Sequence, residues 1–512
     1  MAEPEPGGSV SRAASTGLLV ATFFAGLVVM ALELVAFRLY APHFGYAEDV
    51  WGSMIGVVLL ALTCGYALGG RLADRSKDAA PLFVAIGVSA IYQAGILAIV
   101  IDLLEWCADL PPRTGPVVAT LLIFMAPMTL LAMTGPYVTR LLARDAHVGS
   151  VAGNVSAVST VGSIVGVFGT SFWYVPTFGV RATLVACVAV SAVIALAGLA
   201  AMRRRSALVG ALPFVILPFL PPFGWGEGTV YVRESEYNLV RVFERNGVRF
   251  LALNDERTAQ TIRPVDGSLG HRYFDLFMFG PALAHGDRTL VLGMGAGGSV
   301  WATRLAAPTA EIDAVEIDPE VVEAARLFFE LPTDGRMHVH TEDARRYLRD
   351  TRALYDVVHV DLYQGGNVQP FYLVTRETFA RVREVLHDDG VMVMNVYDGA
   401  SSQRLLASVV RTIHESFPSV YVIDAGLRNH VVFAFPRQTS ADDIEARLVR
   451  DLEAEGMPHV AADFVHKERG NFEPAWIDES APIFTDDLAP VERITREMIE
   501  QQLRENPPRP RS

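Results

Sequence analysis

The 512-residue chain is 51% hydrophobic and carries 43 Lys+Arg against 57 Asp+Glu, a net charge of −14. Its length predicts about three domains of roughly 150 residues each, and the acidic balance argues against nucleic acid as a partner, because binding phosphates needs clustered cations. Cys64, Cys107 and Cys187 lie far apart and lack the paired spacing of a disulfide framework or a zinc site, so neither a thiol nucleophile nor a metal is expected.

The two halves have different solvents. Residues 1–224 concentrate the apolar content and hold 12 Lys+Arg against 11 Asp+Glu, which leaves 31 against 46, a net −15, for residues 225–512. An acidic, soluble half suits cationic small substrates. In the apolar half, six segments at about 16–40, 51–73, 81–103, 116–138, 151–173 and 180–202 are long and apolar enough to cross about 30 Å of hydrocarbon. The first is too long for a cleaved signal peptide and is expected to stay as a membrane helix.

Basic residues follow the second, fourth and sixth segments (Arg71, Arg75, Lys77; Arg140, Arg144; Arg203 to Arg205), whereas Glu48, Asp49, Asp102, Glu105 and Asp109 lie in the opposite loops. The positive-inside rule then puts the amino terminus in the cytoplasm. The spacings Gly52/Gly56, Gly65/Gly69, Gly149/Gly153 and Gly162/Gly166 predict close helix packing. Glu33 and Arg38 are ionisable groups inside a span and are expected to face a partner or water. The run GGRLADR, Gly69–Arg75, resembles a loop signature of major facilitator transporters, although six or seven spans are about half of one. A further apolar stretch, 207–223, contains four prolines and either spans, re-enters or lies along the interface.

After Trp225 the pattern changes to short alternating strands, TVYVRE, NLVRVFERN and VRFLALND, with Asn246-Gly247 as a hairpin turn, which predicts a small β-domain over 225–285. A doubly wound α/β domain is predicted over 286–436. Its strand Thr289–Leu292 runs into Gly293, Gly295, Gly297 and Gly298, which open a helix. Further helices are expected near 319–329, 342–350, 375–387 and 402–416, and later strands at 391–396, 420–424 and 430–435. Residues 437–512 read as a helical extension ending in a Pro/Arg-rich, disordered tail.

The chemistry sits at strand ends. The glycine bend lets a backbone approach a ligand. About twenty residues on, AVEID delivers Glu316, and Asp318 after it, where a carboxylate can accept ribose hydroxyls. Glu342 and Asp343 precede a helix, and YDVVHVD ends in Asp361. Four successive strand ends that present glycine or carboxylate to one crevice fit an S-adenosylmethionine type of sheet better than a nicotinamide one. The loop Tyr363, Gln364, Gly365, Gly366 and Asn367 borders that crevice and is expected to face substrate, packed down by Pro370, Phe371 and Tyr372. His338 and His340 read as edge or surface histidines and His359 as a core histidine.

These residues resemble the spermidine synthase-like aminopropyltransferases, in the form fused to an integral membrane domain. The resemblance covers about residues 230–436, and ALELVAFRLYAPHFG in the first span is similar to the membrane-fused members. ESEYN, Glu234–Asn238, is similar to the family's ES-x-Y-Q opening; Gln260, and Tyr273 with Asp275, are similar to its Gln and Tyr-x-Glu; VLGMGAGGS stands where the family has GGGDGG; VEID matches outright; EDARRYL resembles GDG-x-x-FL; and YDVVHVD matches the strand before the active-site loop.

What the resemblance implies is an S-adenosylmethionine methyltransferase-type Rossmann-like domain with a small amino-terminal β-domain, joined to a multi-pass α-helical membrane domain. Gly293, Gly295, Gly297, Glu316, Asp318, Glu342 and Asp343 would hold the donor, with Glu316 on the ribose and Asp343 on the adenine amino group. Asn238, Gln260, Tyr273 and Asp275 would contact substrate, and Asp361, Tyr363 and Gln364 would face the reacting amine. The partners implied are a small-molecule amine, the lipid bilayer and a second copy in a homodimer; no metal and no nucleic acid are implied. If 207–223 re-enters or lies along the interface, the soluble half of this inner-membrane protein is cytoplasmic, where adenosyl donors are made; if 207–223 spans, that half lies outside.

Two departures bear on the activity. Ala296 stands where the family motif has Asp, and Gln364 stands where the second Asp of D-x-x-D-P serves as the base. Gln cannot take a proton, and general-base help is worth about 10² to 10⁴ in rate. Three readings stay open. Asp361, with Tyr363 or Asp275, takes over the role in an aminopropyltransferase that uses decarboxylated S-adenosylmethionine and a polyamine or related amine. Alternatively the donor is ordinary S-adenosylmethionine, whose carboxylate is tolerated beside Ala296, and the protein is a methyltransferase. In the third, the soluble half senses an adenosyl ligand or polyamine and controls a transporting membrane half.

Overall fold

The computed structural model describes residues 11–44, 48–76, 78–111, 113–143, 148–204, 206–219, 227–254, 258–270, 272–284, 286–363, 365–366, 368–399, 401–453 and 457–505. Gln364, Asn367, Pro221, Pro222 and the tail beyond 505 lie outside the described residues. The chain forms two compact units, Met1–Trp225 and Gly226–Ser512.

The first unit is helical: α1 (Arg12–Phe44), α2 (Glu48–Arg75), α3 (Ala80–Ala108), α4 (Thr114–Thr120), α5 (Ala126–Ala132), α6 (Thr134–Leu142), α7 (Val148–Gly169), α8 (Val175–Ala201) and α9 (Ala207–Ile216). Among the described residues, five stretches are long and apolar enough to cross a membrane. Helices α4 to α6 make up one of them, joined through a wide π turn at Leu121–Met125 just ahead of Pro127, which has no N–H to give to the preceding turn. The fifth stretch, Val148–Ala201, has 54 residues, about 80 Å of helix and more than twice a bilayer core. It contains both of the last two predicted spans, divided at Gly179, whose φ of 81° and ψ of 168° are not helical. Helix α9, with the three-residue turn Leu217–Phe219 after it, is too short to cross 30 Å. Gly162 and Gly166 on α7 lie against the backbones of Phe23 and Leu27 on α1, so a methyl group at either would collide with a carbonyl oxygen. A Cβ at Gly52, Gly56, Gly149 or Gly153 would meet nothing within 4 Å among the described residues.

The second unit opens with four antiparallel strands, β1 (Thr229–Glu234), β2 (Leu239–Arg245), β3 (Val248–Leu253) and β4 (Ala259–Pro264), paired in chain order. Asn246 and Gly247 both have positive φ, 54° and 73°, as a two-residue turn of the right twist between β2 and β3 requires. A 3-10 turn at Tyr273–Met278 and α10 (Phe279–Ala284) lead into the main sheet.

That sheet alternates β5 (Arg288–Leu292), α11 (Gly298–Ala306), β6 (Glu311–Glu316), α12 (Pro319–Phe328), β7 (Met337–Thr341), α13 (Ala344–Asp350), β8 (Tyr355–Val360), α14 (Arg376–Val385), β9 (Leu386–Tyr397), α15 (Arg404–His414), β10 (Ser419–Asp424), β11 (Asn429–Phe435), α16 (Ala441–Glu453), α17 (His459–Glu468), β12 (Glu473–Pro474) and α18 (Val491–Glu505). The strand order is β12-β10-β11-β9-β8-β5-β6-β7, with β5 to β9 parallel and β10, β11 and β12 antiparallel. From β5 the chain winds outward through β6 and β7, then returns to the other side of β5 as β8. The winding direction reverses between β5 and β8, and in such sheets a crevice opens there at the carboxyl ends.

Apolar side chains fill both faces, Phe277, Phe279, Val393 and Phe433 on one and Leu290, Phe379, Met392 and Phe417 on the other. The carboxyl-terminal extension belongs to this core: Phe484, Val491 and Ile494 are buried within it. His359 in β8 is fully buried, its Nδ1 3.4 Å from Thr303 Oγ1, and burial holds its pKa down to about 3, so it is a neutral core residue. His340 on the edge strand β7 pairs with Asp313 at 3.0 Å.

Gly293 sits where β5 meets the end of β8. Its φ is 81°, and a Cβ there would run into the carbonyl oxygen of Asp361. Gly293→Ala is therefore expected to destabilise the full chain by on the order of 1–3 kcal/mol, read as a lower denaturation midpoint of the soluble unit in detergent. An unchanged midpoint would contradict this geometry.

Candidate active site at the strand switch point

The site grows from the bend after β5. Gly293 and Met294 both donate backbone N–H groups to Val315 O, at 3.0 and 3.1 Å, which ties the bend to β6. Gly295 and Gly297 continue with positive φ, 52° and 89°, and Gly297 caps α11. Glu316, at the tip of β6, closes the loop: its Oε2 accepts from Gly295 N at 2.9 Å and its Oε1 from Asp318 N at 3.1 Å. Burial of its carboxyl raises the pKa to about 7 against the pull of these backbone donors.

Asp361 follows β8 on the other side of the bend, where its N–H bonds to Leu292 O at 2.9 Å. Its carboxylate is clamped from two elements. Tyr273 donates its hydroxyl to Oδ2 at 3.0 Å, and Asn395, from β9, donates Nδ2 to Oδ1 at 3.1 Å. Desolvation outweighs both donors, and the pKa rises to about 7. Tyr273 is pushed well above its ordinary value of 10, first by burial and then by the charge of Asp361, so it remains a donor. Asp361 and Glu316 share one linkage consequence: their ordinary values are 3.8 and 4.5, so their contribution to stability is full below those values and is lost as pH rises through about 7.

The remaining predicted residues have definite places. Tyr363 braces the clamp: its hydroxyl accepts from Tyr397 N at 2.8 Å and donates to Asn395 O at 3.3 Å. Asp318 is fully buried, accepts from Glu320 N as the cap of α12, and takes donors from Ser235 Oγ at 2.7 Å and Asn238 Nδ2 at 3.0 Å. Asn238 in turn accepts from Asn254 Nδ2 at 2.8 Å, so this chain of bonds fastens the four-stranded domain to the sheet. Asp343 caps α13 through Arg346 N at 3.0 Å and accepts from Tyr372 at 3.0 Å, while Glu342 is one-third exposed and 3.8 Å from Arg346. Asp275, 1% exposed, accepts from Arg272 N at 3.2 Å and caps the 3-10 turn that carries Tyr273. Gln260 donates to Gly366 O at 3.1 Å and holds the loop after Asp361.

Ala296 is buried, and its N–H is taken by Thr261 Oγ1 at 3.1 Å, so the bend presents no acid at the position where the related motif has one. The sequence reading missed Asn395, Gln369 and Thr261. A polar residue in the run VMVMNVY was the available signal, because a buried amide without partners is costly. Gln369 donates to Asn395 O at 3.0 Å, yet Gln369 Oε1 and Asn395 Oδ1, both almost fully buried, have no partner among the described residues. Beside Asp361 there is thus a surplus of acceptors, which a ligand rich in N–H groups would satisfy.

Residues 273–429 match the spermine/spermidine synthase domain family. Over 323 residues the chain is 27% identical to a probable polyamine aminopropyl transferase of Bifidobacterium longum (strain NCC 2705), an alignment covering 58% of this chain and 70% of that protein. It is 26% identical over 290 residues to a polyamine aminopropyltransferase of Vibrio vulnificus (strain CMCP6), covering 54% and 95%. A shorter match, 30% identical over 139 residues, is to an eEF1A lysine and N-terminal methyltransferase homolog of Drosophila melanogaster, covering 26% of this chain and 20% of that protein. The sheet is doubly wound and Rossmann-like, parallel from β5 to β9. Over residues 273–429 the second unit is thus similar to spermidine synthase-like transferases.

Because Tyr273 and Asn395 both favour the charged form of Asp361, removing either donor raises its pKa further. Tyr273→Phe is expected to shift the acid limb of the rate–pH profile above about 7, with the rate still rising with pH. A limb that stays put in the variant would contradict the clamp.

Proposed function

We propose that the soluble unit transfers an aminopropyl group from decarboxylated S-adenosylmethionine to a small amine, with Asp361 as the general base. The observation that carries this reading is the clamped, desolvated Asp361, its pKa raised to about 7, set beside the acceptors Asn395 Oδ1 and Gln369 Oε1, which have no partner among the described residues. A base is most effective when its pKa lies near the working pH. The acceptors suit an ammonium or amine, which is a donor, and not a carboxylate.

In this reading Glu316 holds the ribose hydroxyls and the glycine bend receives the adenosyl group. Asp361 and the neighbouring carbonyl oxygens orient the amine, and Asp361 takes its proton as the amine nitrogen attacks the propyl carbon next to the sulfonium. A C–N bond forms, the C–S bond breaks, and its electron pair stays on sulfur as a neutral thioether, so no acid is needed for the leaving group. Orientation, desolvation and proton removal are the protein's contributions. Asn395 also clamps Asp361, and Tyr363, bonded to Asn395 O and Tyr397 N, is a positioning residue.

Ala296 favours a second reading. A bend without an acid leaves room for the carboxylate of ordinary S-adenosylmethionine, and methyl transfer to an amine would use the same base. The five apolar stretches support a membrane anchor, and the shortness of α9 together with Arg203 and Arg204 supports a cytoplasmic soluble unit.

Full-length protein incubated with decarboxylated or ordinary S-adenosylmethionine, and with putrescine or spermidine, separates these readings by product mass. An aminopropylated amine is expected from the decarboxylated donor only. A methylated product would replace the first reading by the second. Asp361→Asn is expected to lower turnover by about 10² to 10⁴ while 5′-methylthioadenosine still binds; full turnover in that variant would remove Asp361 as the base. Glu316→Gln is expected to weaken 5′-methylthioadenosine in calorimetry, and in the parent protein that affinity is expected to rise as pH rises through about 7. Equal affinity of variant and parent would remove the ribose role.

A further inference from the structure

The helical unit contains a cavity of about 800 Å³ among α1, α2, α5, α6 and α7, which the transfer reaction does not use. Its size lies in the range of sites that hold drug-sized ligands. Ala25, Val29, Leu62 and Leu131 give it apolar walls, and α7 turns a face of hydroxyls toward it, Ser156, Ser159, Thr160 and Ser163 at helical spacing. The charged lining groups are Asp74 and Arg140, which pair at 3.0 Å and are both more than half exposed, so they mark the mouth and cancel in charge.

Thr134 supplies an independent observation. It lines the cavity, is 2% exposed, and its hydroxyl has no partner among the described residues. Thr22, Thr63, Thr120, Thr139 and Thr183 in the same unit each return their hydroxyl to the carbonyl four residues back, at 2.7 to 2.9 Å. Thr134 instead opens α6, where the chain steps out of α5 at Met133, and Pro136 two residues on has no N–H for the carbonyl of Ala132, another lining residue. Met133 keeps helical φ and ψ, −58° and −21°, so the helix loses a backbone bond at Pro136 without unwinding, and a backbone group freed in this way is tolerated where it lines a cavity.

We propose that this cavity binds one molecule of an uncharged amphiphile. The oxygen-bearing head of the ligand bonds to Thr134 and to the hydroxyl face of α7, and its hydrocarbon tail lies along Ala25, Val29, Leu62 and Leu131. A charged head is disfavoured because, among the described residues, the acid and the base at the mouth already neutralise each other. The inference does not depend on the transfer chemistry, and its test reads a different unit.

Full-length protein in detergent micelles is titrated with 1-monooleoylglycerol, glycerol or oleate and observed by native mass spectrometry, with thermal unfolding recorded for each variant. One saturable equivalent of monooleoylglycerol is expected, weakened at least tenfold in Thr134→Val and restored in Thr134→Ser, with unfolding midpoints unchanged. Absence of a one-to-one adduct, parent-like affinity in Thr134→Val, or equal loss in Thr134→Ser would overturn the proposal. So would glycerol binding as tightly as the amphiphile, which would mark a site for small polyols, or tighter binding of oleate, which would mark an anion site.

Discussion

The soluble unit depends on one close approach, the glycine bend after β5 against the backbone at the end of β8. Asp361 N bonds to Leu292 O, and Gly293 lies on the Asp361 carbonyl with no room for a side chain. Bend and carboxylate therefore move as one body. Their position follows from the strand order, since only where the winding reverses do two adjacent parallel strands send their connections apart and leave a crevice above their ends. The desolvation of Asp361 and the nearness of Glu316 to the bend follow from the same junction.

The acids around this crevice fall into two groups. Asp318, Asp343 and Asp275 accept from backbone N–H groups as caps, and Asp318 also fastens the four-stranded domain through Ser235 and Asn238. Glu316 and Asp361 are the two whose carboxyls are raised to about 7. Perturbed carboxyls facing one crevice are a mark of chemical sites, and here they lie on the strands that flank β5.

Much of this architecture was legible in the sequence because strong local signals carried it. The alternation of apolar runs with glycine and capping residues marked β5, β6, β8 and the helices between them to within a few residues, and Asn246-Gly247 announced its turn. Asp318 and Asp343 were ambiguous for a physical reason: an acid before a helix is the residue wanted both by a cap and by a ligand at a strand tip. Gln369 and Thr261 were out of reach, since each acts through a contact with a residue 26 to 35 positions away, and Asn395 stood out in the run VMVMNVY without showing its partner 34 positions away. The role of Phe484 and Val491 in the core was likewise hidden, because a single apolar residue in a polar stretch carries no period. In the helical unit, hydropathy located the spans but did not reveal that the last two join through a kink at Gly179.

The most direct test is a structure of the full chain with 5′-methylthioadenosine and an amine. The account requires the nucleoside in the glycine bend with its ribose on Glu316 and the amine nitrogen within hydrogen-bond reach of Asp361 and Asn395. A nucleoside seated elsewhere, or a bend closed over by Thr261 and the loop after Asp361 so that none enters, would contradict it.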